Sequence, residues 1–228
     1  MIRTKFISIS SCILLISLLL PCGTLSAQKR IEAEKDTTAF FQGVAVGVDL
    51  FGAVQRPLNM SDFGQYEAFL RLNIKGKYFP VFELGLGDAE HEKDPITGIY
   101  TKTSAPYGRI GCDFNVLKNK HDVYKVFVGA RFAYTNFDFE FSHEGIKDPI
   151  LGRNVPYSVK DNNSVCWIEG VFGVDAKVVG PVHLGWSVRY RRRINSTDCK
   201  IGDMWYVPGF GRYDKTNIGG TFNVSIGI

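Results

Sequence analysis

The side chains that could do chemistry are few, and their spacing is poor. The four histidines, His91, His121, His143 and His183, stand apart, and none has zinc-ligand spacing to another histidine or a cysteine. His91 lies in an acidic run with Asp88, Glu90, Glu92 and Asp94, whose carboxylates suit a divalent cation. The motif is weak, and a solvated loop explains it better. Ser142-His143-Glu144 places a hydroxyl, an imidazole and a carboxylate side by side. A nucleophile and its base must meet within hydrogen-bond reach, which adjacent residues rarely do, so the triplet alone does not make a hydrolase. No glycine loop follows a strand and opens a helix, so no phosphate site is read. No catalytic residue, metal ligand or cofactor-binding residue is assigned, and no cofactor is expected.

Two other groups stand out. Glu67, Arg71, Glu83, Arg109, Asp113, Arg131, Glu169, Asp175, Arg189 and Arg191 all fall inside segments of alternating polarity, as does Lys177. Their signs nearly balance, and the chemistry of such a set is pairing. The segment Met204 to Arg212 carries Trp205, Tyr206, Pro208 and Phe210, unusual residues for a solvated loop. They either cap the structure by packing on its rim, the preferred reading, or face outward to bind glycan, lipopolysaccharide or a protein.

The elements that must position these residues alternate with period two. Eight strands are predicted: Phe41 to Phe51, Gln65 to Lys75, Tyr78 to Gly87, Tyr107 to Leu117, Val123 to Asn136, Cys166 to Val178, Val182 to Arg193 and Asn217 to Ile228. In each, one face is apolar, such as Leu184, Trp186, Val188 and Tyr190. The other carries glycines and charges, such as Gly185, Ser187, Arg189 and Arg191. Short turns fall at Gly76, Lys118 to His121 and Gly180-Pro181. Long connections run over Gly52 to Gly64, Asp88 to Pro106, Asp138 to Ser164 and Asn195 to Thr216. Short turns at one end and long loops at the other mark an eight-stranded antiparallel up-and-down transmembrane β-barrel over residues 40–228. Pro80 cannot donate to a ladder, so a bulge is expected there, or a third strand beginning at Val81.

Alternation alone does not say which face is inside. The apolar faces carry no charge, whereas lipid penalises Arg or Lys at the midplane by ~2–4 kcal/mol. Glycines gather on the polar face, where a narrow barrel needs room for longer neighbours. Aromatics gather near strand ends: Phe40, Tyr78, Phe114 and Tyr124 at one rim, and Tyr66, Tyr107, Tyr134 and Tyr190 at the other. The polar face is therefore read as the lumen, filled by paired charges rather than open as a pore.

Composition agrees. Hydrophobic content is 45%, too ordinary for a bundle of membrane helices, and a net charge of +4 is too mild to suggest nucleic acid. Residues 1–27 read as an export signal, with basic Arg3 and Lys5, an apolar run Ile13 to Leu20, and small residues before cleavage after Ala27. Pro21 argues against a lipid on Cys22. Residues 28–39 read as a flexible polar leader, in which Asp36-Thr37-Thr38 matches a short glycosylation motif. Of Cys112, Cys166 and Cys199, only the last two are placed to pair, and Cys112 should face lipid.

The strings YFPVFELGLG (Tyr78 to Gly87), TSAPYGRIGCDFN (Thr103 to Asn115), LGWSVRYRRR (Leu184 to Arg193) and WYVPGFG (Trp205 to Gly211) together resemble an uncharacterised family of Bacteroidetes outer-membrane barrels, a domain of unknown function. More loosely, the chain is similar to PorT-type and OmpA-type small barrels. The resemblance implies location and fold and supplies no catalytic residues. One departure is Ile228, where many such barrels end in phenylalanine. The expected role is structural, in assembly, or in surface interaction, and not enzymatic. Its partners would be outer-membrane lipid and lipopolysaccharide, the barrel-assembly machinery, and a protein or glycan at the outer loops, with no nucleic acid. The alternatives are a lipid- or lipopolysaccharide-modifying enzyme and a secreted, lipocalin-like carrier.

Overall fold

A computed structural model of the chain describes residues 39–55, 62–91, 98–117, 123–147, 152, 154–196 and 204–228, the side chains of Glu144, Ile146 and Lys147 apart. The export segment with Cys22, the leader through Thr38, Glu92, Asp94, His121 and Cys199 lie outside the described residues.

The elements are β1 (Phe41–Asp49), α1 (Leu50–Gln55), β2 (Phe63–Ile74), β3 (Tyr78–His91), β4 (Ile99–Asn115), β5 (Tyr124–Lys147), β6 (Asn154–Val179), β7 (Val182–Ser196), β8 (Tyr206–Val207), β9 (Gly211–Arg212) and β10 (Thr216–Gly227). Eight of them close into a ring in the order β1-β10-β7-β6-β5-β4-β3-β2, antiparallel throughout. The two short strands β8 and β9 form a separate hairpin between β7 and β10.

The apolar faces point outward. Leu84 is 73% exposed and Trp186 61%, with Phe82, Ile110, Phe132, Phe172 and Val188 also exposed around the wall. Glu83, Arg109, Asp113, Arg131, Glu169 and Arg189 are buried inside. This distribution is the reverse of a water-soluble domain, whose apolar side chains pack inward.

Four sequence expectations need correction. The first strand stops at Asp49, because the Asp49 carboxylate accepts the amides of Phe51 at 3.0 Å and Gly52 at 3.3 Å and so caps α1. Pro80 makes no bulge and lies inside β3, which begins at Tyr78. The β4 ladder runs past it unbroken, while the β2 ladder lapses between Arg71↔Val81 and Ile74↔Tyr78, on the side where proline lacks its amide. Tyr107 is not part of an outer aromatic rim: it is buried inside, two residues from Arg109 on the same face. The other seven rim aromatics are exposed.

The fourth correction concerns loop length. The β5–β6 hairpin reaches Lys147 and Asn154, and β3 and β4 reach His91 and Ile99, so much of two long connections is strand. Polarity inverts along β5. Through Tyr134 the outward residues are apolar, but beyond it Asn136, Asp138 and Glu140 face outward while Phe137 and Phe139 are buried. The Ser158 hydroxyl and the Lys160 ammonium hold the Glu140 carboxyl below its ordinary value. A template requiring apolar residues on one constant face loses the strand at this inversion.

Candidate functional site

The register sets charges at matched heights on the inner wall. Glu83 lies opposite Arg109, Arg131 opposite Glu169, and Glu169 opposite Arg191. Other charges lie opposite glycine, which leaves room for the longer side chain: Glu67↔Gly85, Asp113↔Gly129, Asp175↔Gly185 and Arg189↔Gly219.

From this register comes one continuous ion-paired column. At the tight-turn end, Asp175 holds the His183 imidazole at 2.8 Å and Arg71 at 3.4 Å. Arg71 bridges on to Asp113 at 3.5 Å, its guanidinium lying 5.4 Å from the Phe69 ring and 4.9 Å from Phe127. Asp113 takes a two-pronged contact from Arg131 at 2.7 and 2.9 Å. Arg131 also meets Glu83 at 3.1 Å, and Glu83 receives Arg189 at 2.7 Å and Arg109 at 3.3 Å. Arg109 pairs with Glu67 and, at 2.9 Å, with Glu169. Arg189 reaches Glu67 at 3.2 Å, and Arg191 closes the column on Glu169 at 3.4 Å. Ten of the eleven charged residues singled out in the sequence belong to it, while Lys177 stands exposed outside it. Pairing of this kind is obligatory: removing one partner from a buried pair costs about 3–5 kcal/mol, because the other is left uncompensated.

Above the column sits the aromatic segment. β8 and β9 fold it into a hairpin inside the barrel mouth, where Tyr206, Val207, Pro208 and Phe210 are buried. Phe210 packs edge-on against Trp167 at 5.7 Å, within a core that includes Met204, Tyr107, Phe137 and Phe139. Trp205 alone of the four predicted aromatic-loop residues stays partly exposed, 4.8 Å from His91 and 6.3 Å from Phe63. Column and hairpin are joined directly. Arg109 donates to the Gly209 carbonyl at 2.7 Å, and Arg191 and Asn217 donate to the Phe210 carbonyl at 2.9 and 3.1 Å. Gly209 needs its glycine: its φ is +80°, and a Cβ would lie 2.5 Å from the Tyr107 ring. Burial pushes the Tyr206 phenol up to about 12, so it stays neutral and accepts from Gln65 at 3.2 Å.

Sequence reasoning missed four members. Tyr107 donates to Glu67 at 2.9 Å, and Trp167 donates to Glu169 at 2.7 Å. His183 and Gln65 complete the two ends. The signal was available for Tyr107 and Trp167, since each stands two residues before a charge on the same inward face.

The weaker candidates do not converge. Ser142 and His143 are neighbours within β5, not in a loop, and His143 Nδ1 accepts the Gly145 amide at 2.9 Å while its ring stacks on Tyr157. His91 pairs with Asp62 at 2.8 Å, and Tyr100 donates to Glu90. Cys112 and Cys166 are free thiols.

The tight fit gives a test. A Cβ at Gly129 would run into the Asp113 carboxylate and lie 3.0 Å from the Arg131 guanidinium. Gly129→Val is expected to cost about 3 kcal/mol or more by prising apart this pair. Gly170→Val, at a position with nothing within 4 Å, should change stability by less than about 1 kcal/mol. Urea unfolding midpoints compare the two, and equal losses would mean that the lumen is not close-packed.

The chain belongs to the DUF6048 family, a domain of unknown function, whose model matches residues 5–227. No curated protein matches it. Among solved structures it is similar to the N-terminal β-barrel domain of Pseudomonas aeruginosa OprF. That match has 9% identity and a TM-score of 0.37, and it covers 82% of this chain and 99% of that one. It is also similar to Ail, the attachment invasion locus protein of Yersinia pestis, solved with the heparin analogue sucrose octasulfate. Identity is again 9% and the TM-score 0.37, with coverage of 81% and 93%.

Proposed function

We propose that this family member is an outer-membrane barrel, closed to ion flow, with a structural, assembly or surface-interaction role at the cell surface. One observation carries the reading: the wall is apolar outside and charged inside. Hydrocarbon solvent favours that arrangement and water opposes it. A closed ring also satisfies backbone groups that lipid cannot. The tight turns would face the periplasm. The aromatic hairpin would face out, and the inversion beyond Tyr134 would mark where the strands leave the bilayer.

Closure to ions is supported twice over, by the paired column and by the hairpin above it. Export is supported by the basic start, apolar run and small residues of 1–27, and the Bacteroidetes resemblance points the same way. A carrier for apolar ligands would need an apolar lumen, and the inner wall here is lined with paired charges. Ser142 and His143 lie adjacent on one strand, where successive side chains point to opposite faces, so this pair does not assemble a nucleophile and its base.

The reading is tested by carbonate extraction of cell membranes and by electrophoresis with and without boiling. The protein is expected to stay in the carbonate pellet and to change mobility on boiling. Release into the supernatant with unchanged mobility would refute it. In planar bilayers the inserted protein should show no resolved conductance steps.

A further inference from the structure

The closed ring has one weak seam. β1 pairs with β10 over five positions, from Ala45↔Gly227 to Asp49↔Asn223. Beyond that point β10 runs on to Thr216, still paired to β7 as far as Thr216↔Arg192. Its other edge has lost its partner, because the chain turns into α1 at Leu50. Val44 and Ile228 exchange both of their bonds, at 2.9 and 2.7 Å, and the bonded pattern repeats at every second residue of β10. At Phe222 a side chain replaces the missing strand: the Asp49 carboxylate accepts the amide at 3.0 Å. Gly220 and Ile218 follow on the same edge. Among the described residues, their seam-facing amides and carbonyls have no partner. The gap lies level with Val188 and Tyr190, just inside the aromatic rim at the long-connection end.

Two cavities meet there. Outside is an apolar groove of about 250 Å³ between Phe51, Phe172, Trp186 and Val188, with Gly220 at its floor. Inside is a cleft of about 590 Å³ presenting Gln65, Arg191, Arg212 and Asn217. Phe51, Val188 and Gly220 line both, so the two adjoin at the gap. Of the cleft's acids, Asp49 is taken up by three amides, and Asp214 stands exposed. Arg212 is exposed and has no carboxylate partner among the described residues.

We propose that this seam binds a single fatty-acid chain laterally, the chain in the groove and the carboxylate in the cleft beside Arg212 and Arg191. An unpaired strand edge is tolerated at membrane depth only where it meets polar groups instead of lipid tails. A carboxylate supplies acceptors for the Gly220 and Ile218 amides as well as a counter-charge for the arginines. The groove's volume of about 250 Å³ leaves room for one alkyl chain.

The inference rests on the outer-membrane reading, but it fails separately. A chain that is not a folded barrel loses its heat-modifiable mobility, whereas a barrel whose seam takes no ligand keeps that mobility and lacks only labelling at the seam. The probe is laurate carrying a diazirine at its chain end, photolysed with the full-length protein in neutral detergent micelles and mapped by peptide mass spectrometry. Labelling is expected to concentrate at Phe51, Trp186 to Val188 and Ile218 to Phe222, and to fall at least about tenfold under excess unlabelled laurate. Gly220→Phe fills the groove at a position whose added Cβ meets nothing closer than 3.7 Å, and should abolish the competable labelling. Gly220→Val serves if the larger variant does not fold. Arg212→Gln should weaken competition several-fold, and dodecanol should compete at least about tenfold worse than laurate. Labelling spread evenly around the apolar band, or not competed, would overturn the site. Equal competition by dodecanol would overturn the anionic head group.

Discussion

Glu83→Gln is expected to lower the unfolding free energy by about 3–5 kcal/mol, read as a fall in the urea midpoint of the barrel in vesicles. The substitution keeps the shape and removes one charge. Glu83 is the hub of the column: Arg131 approaches it at 3.1 Å, Arg189 at 2.7 and 3.2 Å, and Arg109 at 3.3 Å. Without it, three buried guanidiniums share too little counter-charge, and the lumen offers them no bulk water. Adding Arg189→Met should recover about half of the loss, with a coupling energy above about 1 kcal/mol, because the pair is then removed together. A loss below about 1 kcal/mol for Glu83→Gln would place the network in water, where ion pairs are worth little.

Arg109→Ala should release the aromatic hairpin as well as destabilise the barrel. Among the described residues, Arg109 is the one arginine that binds three acids of the column and the hairpin together, through Glu67, Glu83, Glu169 and the Gly209 carbonyl. Its hydrogen bond to that carbonyl is charge-assisted, and losing it costs about 1.5–3 kcal/mol locally. Opening of the hairpin should therefore rise on the order of 10- to 100-fold. Limited trypsin digestion of the folded protein reads this as faster cleavage after Arg212, at the hairpin's exposed end. Arg71→Ala, at the far end of the column and without contact to the hairpin, should leave the rate at Arg212 unchanged. Equal acceleration by both would mean that trypsin reports global unfolding.

Much of this architecture was legible because one physical constraint repeats eight times. A wall that faces apolar surroundings on one side and a packed lumen on the other must alternate. Sequences such as Leu184 to Arg191 carry that alternation without exception. What the alternation could not disclose lies where its premise fails. Beyond Tyr134 the same strand continues with inverted polarity, so Phe137 and Phe139 looked like loop residues. At Leu50 six residues of helix interrupt a strand pattern whose next apolar position fits, and only the Asp49 cap marks the change. The ten lumenal charges could be found from their faces, but their order along the column depends on register. The glycines opposite Asp113, Asp175 and Arg189 take their meaning from that register too. The aromatic hairpin was visible as an anomaly of composition. Its anchoring by Arg109, Arg191 and Asn217 through backbone carbonyls was not, because carbonyls leave no trace in a sequence.

The central claim is that the apolar face of the wall touches lipid, and fluorescence of the native protein tests it most directly. Trp167 is buried beneath the hairpin, Trp205 lies at the mouth above the aromatic rim, and Trp186 stands 61% exposed on the wall beside Phe222. In bilayers brominated along their acyl chains, only the Trp186 share of the emission should be quenched, and Trp186→Phe should remove the quenchable fraction while leaving the rest. Quenching that persists in Trp186→Phe, or none in inserted wild-type protein, would mean that the strand faces are reversed. A one-residue slip turns every side chain to the other side, and Arg189 and Arg191 would then leave the lumen.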